Sequence, residues 1–469
     1  MTFIRPAKSA LAHMALSLAL ALWPADAFAH AGEQGFVLLL PTRAYIWSGA
    51  AAVALTAILL LVLPYDAAAR LFRPVKFWQA PARPGPVPIS TMSAILLGLL
   101  VWIGINGPHD PVENLLPLSI WTLFWAGLVL LQAIFGNIWR WINPFSGPYA
   151  LFCRLTGWKP LFRLPPALGY WPGIAAFVAF AAFYMADIAP SDPHRLAMAV
   201  LAYWLATLLG MILFGPRPWR MRAEFITILM GNYARLAPLA RRGQRLALGL
   251  PGHAALRRPV FSAAVFMVAM LASGSFDGLN ETFWWLGLIG VNPLEFPGRS
   301  AVIPETLAGL LVANVALIGA FAAAVWAGLK LAGATVRLRE AFSAFAPSLL
   351  PIALAYHFGH YLTLLMVNGQ HFLAALTDPF DSGADWLGLG DFHVTTGFFN
   401  TLATVRVIWL SQAGMVVGGH VLAILMAHAI AEKLYGGKKA ALLSQLPLAA
   451  FMIAYTWFGL WLLASPRGA

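Results

Sequence analysis

The sequence predicts an all-α fold: a polytopic transmembrane helical bundle with about ten spans after a cleavable signal peptide. Of its 469 residues, 60% are hydrophobic and 10% are charged, whereas soluble proteins carry about 25% charged residues. Several uncharged runs exceed the roughly 20 residues that a helix needs to cross a bilayer. The basic residues are concentrated in alternate connections between these runs. Together, these three observations exclude a soluble globular fold.

The first 29 residues have the pattern of a signal peptide. Two basic residues precede an apolar run, and the small-x-small sequence that ends at Ala29 predicts cleavage there. The mature chain, residues 30–469, is then a single transmembrane domain that begins with His30. An amino-terminal histidine offers an amine and an imidazole, which are two donors of a copper-binding histidine brace. The alternative is an uncleaved first helix.

Ten apolar segments of about the length of a membrane span follow the signal peptide. They lie at residues 45–63, 89–107, 116–136, 166–188, 196–214, 259–276, 303–331, 347–369, 402–432 and 441–464. An even number of crossings places both ends of the mature chain on the same side of the membrane.

The charges orient these spans. Twenty-three of the 30 Lys and Arg residues fall in connections on one side, and five fall on the other. The positive-inside rule assigns the basic side to the cytoplasm, so we expect a multi-pass protein of the bacterial inner membrane with both mature termini in the periplasm. The net charge of +12 then reflects topology and attraction to anionic lipid headgroups. It requires no nucleic-acid partner.

Three connections are long enough to have structure of their own. Segment 215–258 mixes nine arginines with Leu, Ile and Met, which predicts an amphipathic helix on the cytoplasmic surface. On the outer side, segment 277–301 is rich in aromatic residues and predicts an ordered cap on the bundle. Segment 370–401 holds four aspartates, so the outer mouth is expected to be electronegative and to favour cations or neutral substrates.

Five histidines fall in the eighth and ninth spans or at their ends: His357, His360 and His371 in the eighth, and His420 and His428 in the ninth. At about 100° per residue, the first three share one face of their helix. A single connection joins the two spans, so we expect antiparallel neighbours. Gly418 and Gly419 would let the two helices approach closely.

Ionisable residues inside a membrane are costly and usually face the bundle interior. The histidines therefore indicate either a functional site between the eighth and ninth spans or a structural hydrogen-bonded network. In the first case, His357, His360 and His420 could bind a divalent metal, Zn or Cu, with His371 or Asp378 completing the ligand shell. Such a metal could activate water for hydrolysis.

Two other chemistries fit the same histidines. His420 and His357 could ligate haem b across two helices. Alternatively, the row of histidines, with His428 as a further polar group in the membrane, could relay protons or metal ions to the outer mouth. The pattern alone does not choose among these three chemistries.

A second metal site is predicted on the outer side from His30, His393 and Asp391. The single cysteine, Cys153, excludes an intrachain disulfide and a cysteine-based zinc site. The sequence contains no P-loop, GxSxG elbow, Rossmann fingerprint or HExxH motif. Nucleotide-driven transport and serine hydrolase chemistry are therefore unsupported.

Four stretches carry a family resemblance: AHAGEQGFVLLLPT, FDGLNETFWWLGLIGVNPLEFPGRSAV, YHFGHYLTLLMVNGQHFLAALTDPF and GGHVLAILMAHAIA. In them the chain resembles bacterial polytopic membrane proteins that carry the name fenitrothion hydrolase, a membrane-associated organophosphorus hydrolase. The resemblance implies hydrolysis of a phosphotriester P–O–aryl bond and supplies no catalytic residues. The HxH pairs of soluble metal-dependent phosphotriesterases do not occur here, so an activating metal is expected only at the histidines of the eighth and ninth spans.

The expected function is therefore that of an integral membrane protein with a histidine-based metal site that hydrolyses organophosphorus triesters. The alternatives are a copper-handling or other transition-metal transport protein, a haem b electron carrier, and a structural partner of another membrane subunit. The expected partners are the lipid bilayer and a lipophilic small molecule or metal ion.

Overall fold

The structure is a computed structural model that describes residues 36–80, 85–296, 298–380, 382–390 and 392–467. The predicted signal peptide and two residues of the predicted second metal site, His30 and Asp391, lie outside the described residues.

Helices account for most of the described chain. In the first half they are α1 (Thr42–Val62), α2 (Ala67–Leu71), α3 (Val87–Asn106), α4 (Leu115–Phe135), α5 (Trp139–Ile142), α6 (Ser146–Thr156), α7 (Trp171–Ala186), α8 (Pro193–Phe214), α9 (Pro216–Arg222) and α10 (Phe225–Tyr233). In the second half they are α11 (Phe261–Asn280), α12 (Phe283–Leu288), α13 (Ile303–Ala332), α14 (Leu338–Phe345), α15 (Leu350–Thr377), α16 (Leu402–Tyr435) and α17 (Lys438–Ala464). Three short strands complete the fold: β1 (Val75–Gln79), β2 (Leu239–Arg242) and β3 (Arg245–Leu248).

The predicted fold class is confirmed. Within the described ranges, nine helical segments are long and apolar enough to cross a membrane, and they match nine of the ten predicted spans. The tenth, predicted at 166–188, is the 16-residue helix α7, about 24 Å long at 1.5 Å per residue. It begins late because Pro165 and Pro166 form a separate 3₁₀ turn before it.

Helix α11 is the central helix of the bundle. Its most apolar 18-residue window is 89% buried, whereas the corresponding window of α3 is 22% buried and leaves most of its surface for lipid. Small residues recur along α11, and they let α7, α13 and α15 pack closely against it. A central helix of this kind can hold a polar group away from lipid.

Helices α15 and α16 are neighbours, as the sequence predicted. A side chain at Gly419 would meet the Pro351 carbonyl oxygen at 2.7 Å, so only glycine permits this approach, whereas nothing lies within 4 Å of the corresponding position at Gly418. The Gln412 amide donates a hydrogen bond of 2.8 Å to the Gly359 carbonyl oxygen across the same contact. The two helices are thereby fixed in register.

One end of the bundle, the basic end, carries the strands and the short helices α2, α9 and α10. The strands form an antiparallel sheet in the order β1-β3-β2, which joins the first connection to the one that follows α8. Segment 215–258 differs here from the predicted amphipathic surface helix. It forms α9, α10 and the β2–β3 hairpin, and α10 is largely buried. The reason is that residues Pro238 and Gly243 interrupt the helical pattern, and Glu224 caps a new helix at Phe225.

The opposite end, the acidic end, is closed by the carboxyl-terminal segment. The Phe283 amide donates a hydrogen bond of 3.0 Å to the Pro466 carbonyl oxygen, and Thr282 pairs with Arg467 as an isolated antiparallel bridge. Helix α11 extends to Asn280, past the predicted end of its span. Asp277 is therefore a buried residue of this helix and does not lie in the connection that follows it.

Candidate functional site

The candidate site is an imidazole–carboxylate pair formed by two helices within the bundle. The His360 Nε2 atom on α15 lies 3.1 Å from the Asp277 Oδ2 atom on α11, and both side chains are about 90% buried. Because an ionised carboxylate only accepts hydrogen bonds, this contact requires the proton of a neutral His360 to sit on Nε2. The Nδ1 atom of His360 has no hydrogen-bond partner. It is therefore left with a free lone pair.

Two aromatic side chains extend this pair into a chain of hydrogen bonds. The Tyr361 hydroxyl donates to Asp277 Oδ2 at 3.1 Å. The Trp125 indole N–H in turn donates to the Tyr361 oxygen at 2.9 Å. Asp277 thus accepts two hydrogen bonds at one oxygen, which stabilises its charge in a medium where an unpaired charge is costly.

The pair stands between two voids. An inner chamber of about 40 Å³ is bordered by Asp277, His360 and Tyr356. The second void, which we call the acidic-end cavity, has a volume of about 450 Å³ and is bordered by His360, Tyr361 and Gln412. A water molecule needs about 10–15 Å³ and ligand pockets span about 300–1,000 Å³, so the chamber fits water and the cavity fits a small molecule.

Gly278 makes the chamber side of the pair possible. A Cβ atom at this position would clash with the hydroxyl of Tyr356 and would lie 3.8 Å from the His360 Nδ1 atom. The absence of a side chain therefore lets both rings lie directly against the backbone of α11. Gly278, the residue after Asp277, must therefore be glycine, and the sequence alone does not reveal this requirement.

The rim of the acidic-end cavity is charged. Glu281 lies 3.9 Å from an Arg299 nitrogen and 4.0 Å from an Arg467 nitrogen. Arg299 also donates a hydrogen bond of 3.0 Å to the Tyr184 carbonyl oxygen. Two guanidinium groups and one carboxylate thus border the opening. The rim differs from the electronegative mouth that the aspartates of segment 370–401 predicted.

His357 faces a different neighbour from His360. Its Nε2 atom lies 2.9 Å from the Trp125 carbonyl oxygen, in a stretch of α4, Leu118–Leu128, that is a π-helix. Wide π-helical turns frequently occur at functional sites. The contact fixes His357 as a donor to the backbone of α4, and that nitrogen is not free to bind a metal.

His420 is also separate from the pair. Its Nδ1 atom lies 2.8 Å from the Val416 carbonyl oxygen of its own helix. It borders a third void, of about 10 Å³, together with Ser275 and Tyr455. The voids beside the His357 and His420 rings have volumes of about 40 and 10 Å³, and haem ligation by these two residues stays a prediction.

The predicted metal shell does not assemble. Among the described residues, no group of three or more His, Cys, Asp or Glu side chains is placed to hold a metal ion. The helical wheel placed His357 and His360 on one face with His371, and the expected antiparallel packing brought His420 near them. In the structure α15 and α16 are surrounded by other helices, and the rings of His357, His360 and His420 have different neighbours. Of these three histidines, His360 is the one that meets a carboxylate, that of Asp277.

The remaining predicted ligands lie near the acidic end. His371 is half-buried on α15, and His393 is exposed. Asp378 accepts hydrogen bonds within its own loop, from the Ser382 hydroxyl at 2.9 Å and the Gly383 amide at 2.6 Å. Hydrogen bonds from the backbone and side chain of Ser382 lower the pKa of Asp378. Its carboxylate therefore closes a turn.

His428 belongs to a second imidazole–carboxylate pair, at the basic end of α16. Its Nε2 atom lies 3.5 Å from Glu432 Oε1, and its Nδ1 atom lies 2.9 Å from the Gln445 amide nitrogen. The other Glu432 oxygen accepts a hydrogen bond of 3.0 Å from the Ala69 amide. This pair ties α16 to α17 and to the short helix α2.

Comparison of the chain with protein-family models, curated proteins and solved structures finds no match. The interpretation of the site therefore depends on its geometry. Sequence analysis missed Asp277, Tyr361 and Trp125 as site residues. The signal that could have found Asp277 is its position one residue past a strongly apolar run, because a carboxylate at the end of such a run is either in water or in a polar site.

Proposed function

We propose that this integral membrane protein is an enzyme that hydrolyses a neutral, lipophilic ester in the acidic-end cavity. The observation that carries the proposal is the buried Asp277–His360 pair at the boundary between a water-sized chamber and a ligand-sized cavity. Ionisable residues inside a membrane mark functional sites by default. An imidazole oriented by a carboxylate beside a pocket is the usual arrangement of a general base.

In the proposed reaction His360 is the general base. Asp277 holds the Nε2 proton and orients the ring. The Nδ1 lone pair, which is buried and has no partner in the structure, would then accept a proton from a water that moves next to it from the inner chamber. Tyr361 and Trp125 hold the carboxylate in place. These contacts hold the His360 ring beside the acidic-end cavity. The attacking oxygen is that of the water molecule.

The substrate class follows from the resemblance and is a phosphotriester with an aryl substituent. The water oxygen forms the new bond to phosphorus, one of its protons passes to His360, and the aryloxide leaves with the electrons of the P–O bond. The other proton is lost as the new P–OH group, a strong acid, ionises, and His360 returns its proton to solvent. Both products therefore carry a negative charge. Arg299 and Arg467 at the cavity rim are suited to attract them outward.

For the orientation, we propose that the acidic end faces the periplasm across a bacterial inner membrane. The support is the concentration of Lys and Arg in the connections of the basic end. A lipophilic ester then reaches the cavity from the outer side or from the bilayer, and the anionic products leave to the outer side.

Zinc or copper does not enter this proposal. The donors that meet are one imidazole and one carboxylate, whereas catalytic zinc sites use three protein ligands. We therefore expect purified protein treated with a chelator to retain its turnover. Metal analysis of the same sample is the direct measurement.

The test uses the full chain in lipid nanodiscs and a neutral dialkyl aryl phosphate whose released phenolate absorbs visible light. We expect Asp277→Asn and His360→Gln each to lower kcat/KM by about 10²–10³-fold, since a positioned general base contributes about 10²–10⁴-fold. His194→Gln, an exposed histidine at the start of α8, is the matched control and should leave the rate unchanged. Wild-type turnover by folded Asp277→Asn protein would refute the proposal.

A second candidate function is proton transfer across the membrane. It is favoured by the occurrence of one buried imidazole–carboxylate pair near each end of the bundle, Asp277–His360 and His428–Glu432. Proton uptake by proteoliposomes that is lost in both Asp277→Asn and Glu432→Gln would support this function over hydrolysis, which requires only the first pair.

A further inference from the structure

A large apolar cavity lies beside the candidate site, on its lipid-facing side. It has a volume of about 610 Å³ and is enclosed by α3, α4, α7 and α8. Its wall contains aliphatic side chains of α3, such as Leu96, together with the aromatic rings of Trp121 and Phe124. Leu96 is exposed, so this cavity, which we call the lateral cavity, borders the lipid-facing surface.

The lateral cavity and the inner chamber share a wall. Trp125 and Phe180 border both voids, and their ring centroids lie 4.7 Å apart. Trp125 is also the residue whose indole N–H bonds the Tyr361 oxygen. One face of this two-ring partition therefore meets the apolar cavity, and the other meets the chamber that holds Asp277 and His360.

The rings of α4 that border the lateral cavity lie in its π-helical stretch. Residues Leu118–Leu128 are wound more widely than an α-helix, and within that stretch Trp121, Phe124 and Trp125 all border the lateral cavity. Protein interiors are otherwise close-packed, so a void of this size in a well-packed bundle is unusual unless an apolar group fills it. The cavity also falls within the usual volume of ligand sites.

We propose that the lateral cavity takes up the ester substrate from the bilayer and holds its apolar substituent against Trp125 and Phe180, the two side chains that separate this cavity from the candidate site. This inference rests on the proposed function and adds to it a binding site for the apolar part of the ester and a route of entry from the bilayer. The position of the cavity identifies this occupant. The cavity opens toward lipid on one side, and on the other side Trp125 and Phe180 separate it from the chamber that contains His360.

The first experiment measures occupancy without turnover. An Asp277→Asn protein in nanodiscs is irradiated with a dialkyl aryl phosphate that carries a diazirine on its alkyl chain, and in a parallel sample with a phospholipid that carries the diazirine on its acyl chain. We expect the phosphate to label peptides of α4 and α7 and an excess of unlabelled phosphate to suppress that labelling. Labelling of these peptides by the lipid alone, with no competition from the phosphate, would overturn the inference.

The second experiment narrows the cavity in the active protein. Ala179 borders the lateral cavity, whereas Ala175, one turn away on the same helix α7, does not, and both are exposed. We expect Ala179→Phe to raise KM by about tenfold with little change in kcat, which is the signature of lost substrate binding. Ala175→Phe should behave as wild type.

The two readouts separate the two proposals. Competable labelling of α4 and α7 in a protein that shows no hydrolysis would refute the proposed reaction and support the lateral cavity as a ligand site. Hydrolysis that is lost in Asp277→Asn but unaffected in Ala179→Phe, with no labelling by the phosphate, would support the reaction and refute the lateral cavity.

Discussion

The two imidazole–carboxylate pairs of this protein consist of the same chemical groups in different surroundings. At the acidic end, His360 has one ring nitrogen on Asp277 and one without a partner, and two voids border the ring. At the basic end, both nitrogens of His428 have neighbours, Glu432 and Gln445, and the carboxylate also bonds a helix amide. The difference shows that a buried imidazole–carboxylate pair is a candidate for catalysis when one ring nitrogen has no hydrogen-bond partner and a void borders the ring.

The largest expected effect tests whether the basic-end pair is structural. Glu432→Ala leaves the Ala69 amide and His428 without their carboxylate. Since breaking a buried pair by removing one partner costs about 3–5 kcal/mol, we expect a corresponding loss in the free energy of unfolding. Glu432→Gln keeps an acceptor for Ala69 and should lose less. Chemical denaturation in mixed micelles measures both.

The Glu432→Gln variant also tests whether the two pairs have different roles. If the basic-end pair only joins helices, the folded fraction of Glu432→Gln hydrolyses the ester at the wild-type rate. A folded Glu432→Gln protein with no activity would show that both pairs take part in the same process, which would favour proton transfer.

A smaller effect sharpens the role of the acidic-end pair. Tyr361→Phe removes one donor to Asp277 and the acceptor of the Trp125 indole. We expect kcat to fall by about tenfold, equivalent to about 1.4 kcal/mol, with KM unchanged. As Tyr361 is a positioning residue, the pH–rate profile should also be displaced. A lower melting temperature with an unmoved profile would instead assign Tyr361 a packing role.

The smallest expected effect concerns His253, a buried histidine outside the membrane-length helices. His253 lies beside the β2–β3 hairpin, where its Nε2 atom is 3.1 Å from the Pro238 carbonyl oxygen and its own carbonyl accepts a bond from Arg242. Burial lowers the pKa of His253, the hydrogen bond to Pro238 opposes this effect, and the positive charge of Arg242 adds to it.

The sign of its pH dependence follows from that lowered pKa. The folded protein keeps His253 neutral to a lower pH than the unfolded chain, which takes up a proton near pH 6.5. The contribution of His253 to stability is therefore constant above that pH and declines as the pH falls below it. After the base-catalysed intrinsic exchange rate at each pH is divided out, we expect lower amide protection factors in β2 and β3 at pH 5.5 than at pH 7.5. His253→Asn should lose this pH dependence, and an unchanged difference between the two pH values in that variant would assign it to other groups.

The architecture could be predicted from the sequence because it depends on the length and polarity of segments. Nine predicted spans appear as helices of membrane length, and α15 and α16 pack together. The close contact at Gly419 was also predictable from a small residue beside a polar one. These features depend on local composition and on chain connectivity, which the sequence states directly.

The site could be predicted only in part, since it depends on which helices surround each ring. His360 was identified from its place in an apolar helix. Its partner, Asp277, lies 83 residues earlier in the chain, on a different helix. A helical wheel gives the angle between His357 and His360 and does not give the identity of their neighbours. The π-helix that meets His357 also escapes the 3.6-residue periodicity by which helical faces are usually assigned.

The sheet at the basic end has a consequence for biogenesis. Strand β1 belongs to the first connection, and its partner β3 appears about 170 residues later in the chain. At a synthesis rate of roughly 5–20 residues per second, β1 emerges well before β3 and waits on the order of ten seconds or more for it. During that time its exposed residues, such as Phe77 and Trp78, are an unpaired edge that the translocation machinery or the lipid surface must shield. Pairing of β1 with the β2–β3 hairpin then connects the helices that are synthesised first to those that are synthesised later.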